Sequence, residues 1–304
     1  MKKTILLGLT AILFNAFTWA QTATVAAPLE KSLLWEISGN GLKKPSYLYG
    51  TIHMIGKEDF FLTDETKAAF EKTEQVVFEI DMEEMNNMFV QFSLMMALFM
   101  EDGKTLKDLL EKEDYDLVKD HFEEIGLPMM LLERIKPLFL SVFASEDISQ
   151  DGFSSGDVVS YEMEFMDMAQ EQDKKIDGLE TIEFQMSVFD SIPYDVQADM
   201  LVESIKSEGD PDSGASFSSM VETYKNQDLE AMAQSIETSD AMTAKYEEML
   251  LANRNSNWIP VMEKMMDKKP CFFAVGAAHL GGEEGVIALL RKEGYILKPL
   301  HTQP

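Results

Sequence analysis

The sequence predicts an α/β (α+β) protein, a mixed central β-sheet carrying large helical insertions. Two observations lead there. Strand signals stand at both ends of the chain and in its middle, and helical patterns fill the intervals. In addition, the strand-end phrase Gly50-Thr51-Ile52-His53 is matched more than two hundred residues later by Gly276-Ala277-Ala278-His279. No repeat of fixed period accompanies these two phrases, and no Pro/Ser tract or charge block marks a linker.

Taken in order, residues 1–20 read as a secretion signal: basic Lys2 and Lys3, an apolar run over 5–17, and Thr18-Trp19-Ala20 as the cleavage site before Gln21. The run is too short for a comfortable membrane span, and no cysteine near the cleavage site offers a lipid anchor. A loose leader, 21–32, precedes one domain over 33–301. Strands are expected at 33–38 and 46–49, joined by a turn at Gly39-Asn40-Gly41 and Lys44-Pro45. Thr63-Asp64-Glu65-Thr66 starts a helix over 63–72, and 75–80 is a third strand ending near Glu79. A first helical insertion, about 82–172, holds a long amphipathic helix at 83–100 and further helical stretches at 114–124 and 128–145, broken by Gly126-Leu127-Pro128 and by Pro137, and at 156–171. A fourth strand at 174–176 runs into Asp177-Gly178-Leu179-Glu180. A second insertion, 181–268, is broken at Pro193, at the Gly/Asp/Pro/Ser cluster 209–214 and at Pro260. Strands at 272–275 and 295–300 flank a helix over 283–292.

The charge balance is −28, and about −30 once a signal carrying Lys2 and Lys3 is removed. Such a surface repels nucleic acid and anionic membrane, so neither is an expected partner, and stable membrane insertion is not expected. The destination is the periplasm or the exterior. One cysteine, Cys271, cannot form an intramolecular disulfide, and its apolar strand marks a buried thiol.

Chemistry concentrates on few residues. The chain has four histidines and 17 glycines, so two of the four histidines preceded by glycine at i−3 would arise by chance about 2% of the time. Both follow an apolar strand, and open α/β sheets bind ligands outside the carboxyl ends of their strands. The glycine suits a sharp turn or a close backbone approach. His53 and His279 are therefore candidate metal ligands, and two imidazoles need a third donor, usually a carboxylate. Glu79 and Glu180 each close a strand, and an acid at a buried strand is paired or metal-bound. Arg254 is a fixed cation suited to pairing with either glutamate or to stabilising an oxyanion. Gly152-Phe153-Ser154-Ser155-Gly156 matches a serine-hydrolase elbow but lacks the strand that the elbow requires. Met82, Met85 and Met88 recur at helical spacing, with Met95, Met96 and Met100 beyond, which reads as an adaptable apolar face before it reads as a thioether site.

The order Leu-Trp-Glu-Ile, Tyr-Leu-Tyr-Gly-Thr-Ile-His, Val-Phe-Glu-Ile-Asp, Gly-Leu-Glu-Thr with Gln185, Arg-Asn, then Val-Gly-Ala-Ala-His-Leu-Gly-Gly-Glu-Glu-Gly-Val resembles the TraB/GumN family, relatives of the Tiki metalloproteases. The resemblance runs over about 33–300. It implies an α/β core of the erythromycin-esterase/Tiki kind and one site made from His53, His279, Glu79, Glu180 and Arg254. It also implies a divalent metal, manganese or cobalt before zinc, and a peptide or protein substrate. The expectation is an exported metal-dependent peptidase with Glu79, Glu180 and Arg254 in catalysis and His53, His279 and Glu79 on the metal. A peptide-sequestering protein using the same cleft and an esterase-like hydrolase are the alternatives. Which glutamate is ligand and which is base stays open, as does the oligomeric state.

Overall fold

A computed structural model describes residues 29–82, 84, 87–142, 144, 158–208, 217–237, 246 and 248–301. The signal sequence, most of the leader, the elbow-like phrase at 152–156, the cluster at 209–214 and Met85 lie outside the described residues. The protein is α/β, with a six-stranded mixed sheet and a small two-stranded one.

The chain enters at β1 (Leu34–Gly39) and returns along β2 (Ser46–Thr51), an antiparallel hairpin with Trp35 opposite Leu48. A two-residue strand, β3 (Ile55–Gly56), follows His53. Helix α1 (Asp64–Glu71) begins where the Thr63 hydroxyl accepts from the Thr66 N–H, with Asp64 and Glu65 in its first turn. Strand β4 (Gln75–Ile80) has the expected bounds and is buried through Phe78.

The first insertion departs from the sequence reading. The long amphipathic helix is a ten-residue helix, α2 (Met88–Ala97), capped by Asn87 and without a buried residue. Met82 lies in a turn before it. Apolar residues on every side hide the helical period from a count of faces, and Asn87 stops the helix short. Short helices α3 (Leu106–Leu109), α4 (Lys112–Glu124), α5 (Met129–Leu132) and α6 (Pro137–Val142) follow. The break expected at Pro137 takes in the residues just before it, where Ile135 bridges Phe99 and the Lys136 N–H reaches the Leu98 carbonyl, and Pro137 opens α6. Strand β5 (Val158–Val159) then pairs with β3, and α7 (Tyr161–Glu171) starts at a Ser160 cap.

Strand β6 (Lys175–Glu180) continues past the expected end, because Gly178 pairs with Phe78 and Glu180 with Ile80. The second insertion comprises α8 (Ile182–Asp190), α9 (Tyr194–Glu208), α10 (Phe217–Lys225), α11 (Leu229–Glu237), a π-helical turn at Glu248–Ala252 and α12 (Asn253–Met266). Strand β7 (Cys271–Gly276), a 3-10 turn at Ala277–His279, α13 (Val286–Lys292) and β8 (Tyr295–Leu300) complete the chain.

The sheet order is β6-β4-β7-β2-β1-β8. Strands β6, β4, β7 and β2 run parallel, while β1 is antiparallel to both β2 and β8. β7 reads as an unbroken apolar run because it is interior and buried from Cys271 to Val275. The main core joins the sheet to α1, α7 and α12 through Trp35, Tyr49, Phe70, Phe165, Trp258 and Phe272. A second apolar cluster around Leu106, Val118, Phe122, Leu140 and Leu201 unites the first insertion with α9 of the second.

Candidate functional site

Parallel order decides which residues meet. The four strand ends stand side by side as β6, β4, β7 and β2, and they bring Glu180, Glu79, His279 and His53 to one edge in that spatial order. Two glycines make close approach possible there. A Cβ on Gly50 would stand 3.0 Å from the Ala277 Cβ and 3.1 Å from its Cα, so the first Gly-x-x-His phrase packs on the second. A Cβ on Gly276 would sit 3.2 Å from Glu79 Oε1, where the Gly276 N–H now donates at 2.9 Å. Neither glycine has a positive φ; close approach, and no sharp turn, is what each supplies.

Helix α12 faces this edge with Arg254, Asn255 and Trp258, all buried. The Arg254 guanidinium lies between the glutamates: Nη2 donates to Glu79 Oε2 and to Glu180 Oε1, both at 2.6 Å. Nε donates to Glu180 at 2.9 Å, and Nη1 reaches the Leu250 carbonyl at 3.1 Å and His279 Nε2 at 3.2 Å. Five contacts occupy the five N–H groups an arginine has. Trp258 Nε1 donates to Glu180 Oε2 at 2.9 Å, while its ring lies 4.5 Å from the His279 ring and 5.0 Å from Arg254 Cζ. Gln185 donates to Glu79 and to Glu180, 3.2 Å each. The Gly-Leu-Glu-Thr element explains its placement: Thr181 caps α8 at the Phe184 N–H, and Gln185 comes one turn later, facing back to the strand ends.

The two histidines differ in environment. His279 is buried, with Nδ1 2.7 Å from Asn255 Oδ1 and Nε2 3.8 Å from Glu79 Oε1. Burial pushes its imidazole down to about 3, with the charges of Arg254 and His53 adding to burial against Glu79. His53 has a 70% exposed side chain, and its Nδ1 meets Glu162 Oε1 at 3.0 Å. Glu162 also accepts from Thr51 Oγ1 at 2.8 Å and from Ser160 Oγ at 3.0 Å. The Glu162 contact raises the His53 imidazole above its ordinary 6.5, a pull that solvent screens at such exposure. Burial pushes the Glu79 carboxyl up, but His279, Arg254, His53 and the Gly276 N–H together hold it at about 2.

The donor chemistry suits a divalent cation, since Glu79 is ionised and His279 is neutral. Glu79 and His279 converge, while His53 is turned toward Glu162; among the described residues no group of three His, Cys, Asp or Glu side chains is arranged around one cation position. Sequence reasoning missed Glu162, Asn255, Trp258 and the backbone N–H of Gly276. Asn255 stood inside the quoted Arg-Asn pair, but its partner lies 24 residues away and no spacing discloses it. His121 and His301 lie elsewhere, one against the Ala144 carbonyl and the other 3.7 Å from Glu30.

Fold and cluster together define an open α/β-sheet protein with its polar constellation outside the carboxyl ends of parallel strands. The chain belongs to the TraB/PrgY/gumN family, whose model matches residues 33–299. It is 23% identical to Metalloprotease TIKI1 of Danio rerio, over 90% of this chain and 65% of that protein. It is 22% identical to Metalloprotease TIKI1 of Homo sapiens, over 87% and 61% of the two chains, and 21% identical to Metalloprotease TIKI2 of Danio rerio, over 90% and 61%. The chain thus spans less than two-thirds of the length of these relatives. No solved structure matches it. No helix among the described residues is long and apolar enough to cross a membrane.

Proposed function

We propose that this protein is an exported metal-dependent hydrolase acting on peptide bonds in the periplasm or outside the cell. The observation that carries the reading is that four neighbouring parallel strands end in Glu180, Glu79, His279 and His53, of which Glu79 and His279 approach each other. The relatives' name, metalloprotease, supports the reaction class. His53, His279 and Glu79 would hold the metal, manganese or cobalt before zinc. When bound, such an ion polarises a carbonyl and lowers the pKa of water. Glu79 is the carboxylate available to the reaction, whether as ligand or as proton acceptor, because its Oε1 faces His279. Glu180 is committed to Arg254, Trp258 and Gln185, and its role is to hold the cation in place. Arg254 acts through its charge, keeping Glu79 ionised, and it also contacts His279 Nε2.

That last contact also favours a second reading, a peptide-binding protein that uses the cleft without turnover, since Arg254 Nη1 occupies the nitrogen a metal would need. Metal content of the purified protein, beside His53→Ala and His279→Ala, separates the two. The hydrolase reading expects bound manganese or cobalt lost in both variants, and peptide cleavage abolished by a chelator. Equal metal content in the double variant, or binding of peptide without cleavage in added manganese and cobalt, overturns it.

A further inference from the structure

Asn255 touches neither carboxylate, yet it is 2% exposed and bonded at both ends of its amide. Its Nδ2 lies 2.9 Å from the Glu284 carbonyl oxygen. A carbonyl only accepts, so the nitrogen must face Glu284 and Oδ1 must face His279. An amide oxygen also only accepts, so His279 Nδ1 at 2.7 Å carries the proton. The opposite side of the ring gives the same answer independently. Arg254 Nη1, 3.2 Å from Nε2, can only donate, so Nε2 carries the lone pair. The reversed tautomer would set N–H against N–H at Arg254 and lone pair against lone pair at Asn255.

We propose that Asn255 is a positioning residue that locks His279 in the tautomer with Nδ1 protonated and Nε2 bare, so that the lone pair lies on the side of Arg254 and Glu79. The mechanism is local to α12. Arg254 and Asn255 are consecutive, and one turn later Trp258 lies against the ring at a 38° tilt, restricting its rotation. The Asn255 bond to Glu284 also joins α12 to the segment after His279, so the ring and its acceptor are held by one frame. The purpose of the lock rests on the metal reading above: an imidazole ligand needs its other nitrogen fixed by an acceptor. The tautomer itself rests on the contacts alone.

The test reads the ring directly. Nitrogen-15 NMR of the histidine side chains at neutral pH, with the His279 signal assigned by its loss in His279→Gln, should show Nδ1 protonated and Nε2 bare. Asn255→Asp gives up the donor to the Glu284 carbonyl but keeps an oxygen acceptor for Nδ1 and should keep that pattern; Asn255→Leu removes the acceptor and should give mixed or reversed protonation. A protonated Nε2 in the wild type, or an unchanged pattern in a folded Asn255→Leu protein, overturns the proposal. If the leucine variant does not fold, the wild-type and aspartate spectra decide. Calorimetric titration with manganese chloride adds a second readout: affinity should fall about 10- to 100-fold in Asn255→Leu and stay within about threefold in Asn255→Asp. A wild type that binds no manganese but shows the stated tautomer upholds the lock and removes only the metal reading.

Discussion

Replacing Arg254 with methionine removes a buried cation from between two carboxylates. The side chain volume is nearly kept, so the loss is electrostatic. Glu79 falls from 4.5 to about 2 on folding, and in a linkage treatment a carboxyl so depressed contributes about 3 kcal/mol at neutral pH. His279, Arg254, His53 and the Gly276 N–H share that figure, and breaking a buried pair from one side costs about 3–5 kcal/mol. Glu79 keeps the Gly276 N–H and Gln185, and Glu180 keeps Trp258 and Gln185, so the lower half of that range is expected. The sign with pH follows. A folded-state pKa below the unfolded one stabilises fully above about 4.5, and the gain is lost as pH falls toward 2. Without Arg254, Glu79 loses one of the charges that hold it down against burial and titrates higher. The difference between wild type and variant should therefore be about 3 kcal/mol at pH 7 and shrink steadily below pH 4.5. Urea unfolding followed by tryptophan fluorescence measures it, since Trp258 lies in the cluster and Trp35 in the core. A loss under about 1 kcal/mol at pH 7, or an equal loss at pH 7 and pH 3.5, would refute the reasoning. Adding Glu79→Gln and Glu180→Gln to the variant should recover most of the stability, because no buried charge is then left alone.

Three further outcomes follow from the packing. Cys271 is buried and its thiol is pushed up to about 12, so the native protein should resist a disulfide reagent at pH 8 and react with one equivalent once unfolded. Gly50→Ala should lower stability by about 1–3 kcal/mol in the same urea assay, because the new methyl meets the Ala277 Cα at 3.1 Å. Phe89→Glu and Phe92→Glu on α2 should each change stability by less than about 0.5 kcal/mol, their side chains being 84% and 59% exposed; a larger loss would place α2 in the core.

The parts of the fold that announced themselves are those whose signal is local. β4 is legible to the residue because Val76, Val77 and Phe78 form a short apolar run after a capped helix. From sequence β6 ends at Asp177-Gly178, since that pair has turn chemistry; what makes it strand is pairing to β4, where Gly178 lies so close that a Cβ would be 2.3 Å from the Asp81 nitrogen. β3 and β5 are two residues each, too short to show a period. The site divides the same way. His53, His279, Glu79 and Glu180 were legible because each ends a strand, and strand ends meet when strands are parallel neighbours. Glu162 was not, because it sits inside an ordinary amphipathic helix and reaches His53 across 109 residues. The two histidine phrases suggest equivalent partners, but one ring is buried and the other open, a difference set by helices α12 and α7, not by the phrases.

The place of β7 has a consequence for how the chain folds. This strand lies between β4 and β2, yet it is made of residues Cys271–Gly276, after nearly all the rest. Until it arrives, β2 and β4 share no neighbour, and each keeps an unpaired edge. Glu79 then lacks the Gly276 N–H, and the Arg254 pairing forms beside an incomplete sheet. Pairings that span two hundred residues are slow to close and give little reward before they do. No fragment ending before Cys271 can hold the strand ends in register. Only β8 follows β7 in the chain, so the β1–β2 and β4–β6 pairs become one sheet only once Cys271–Gly276 lies between them.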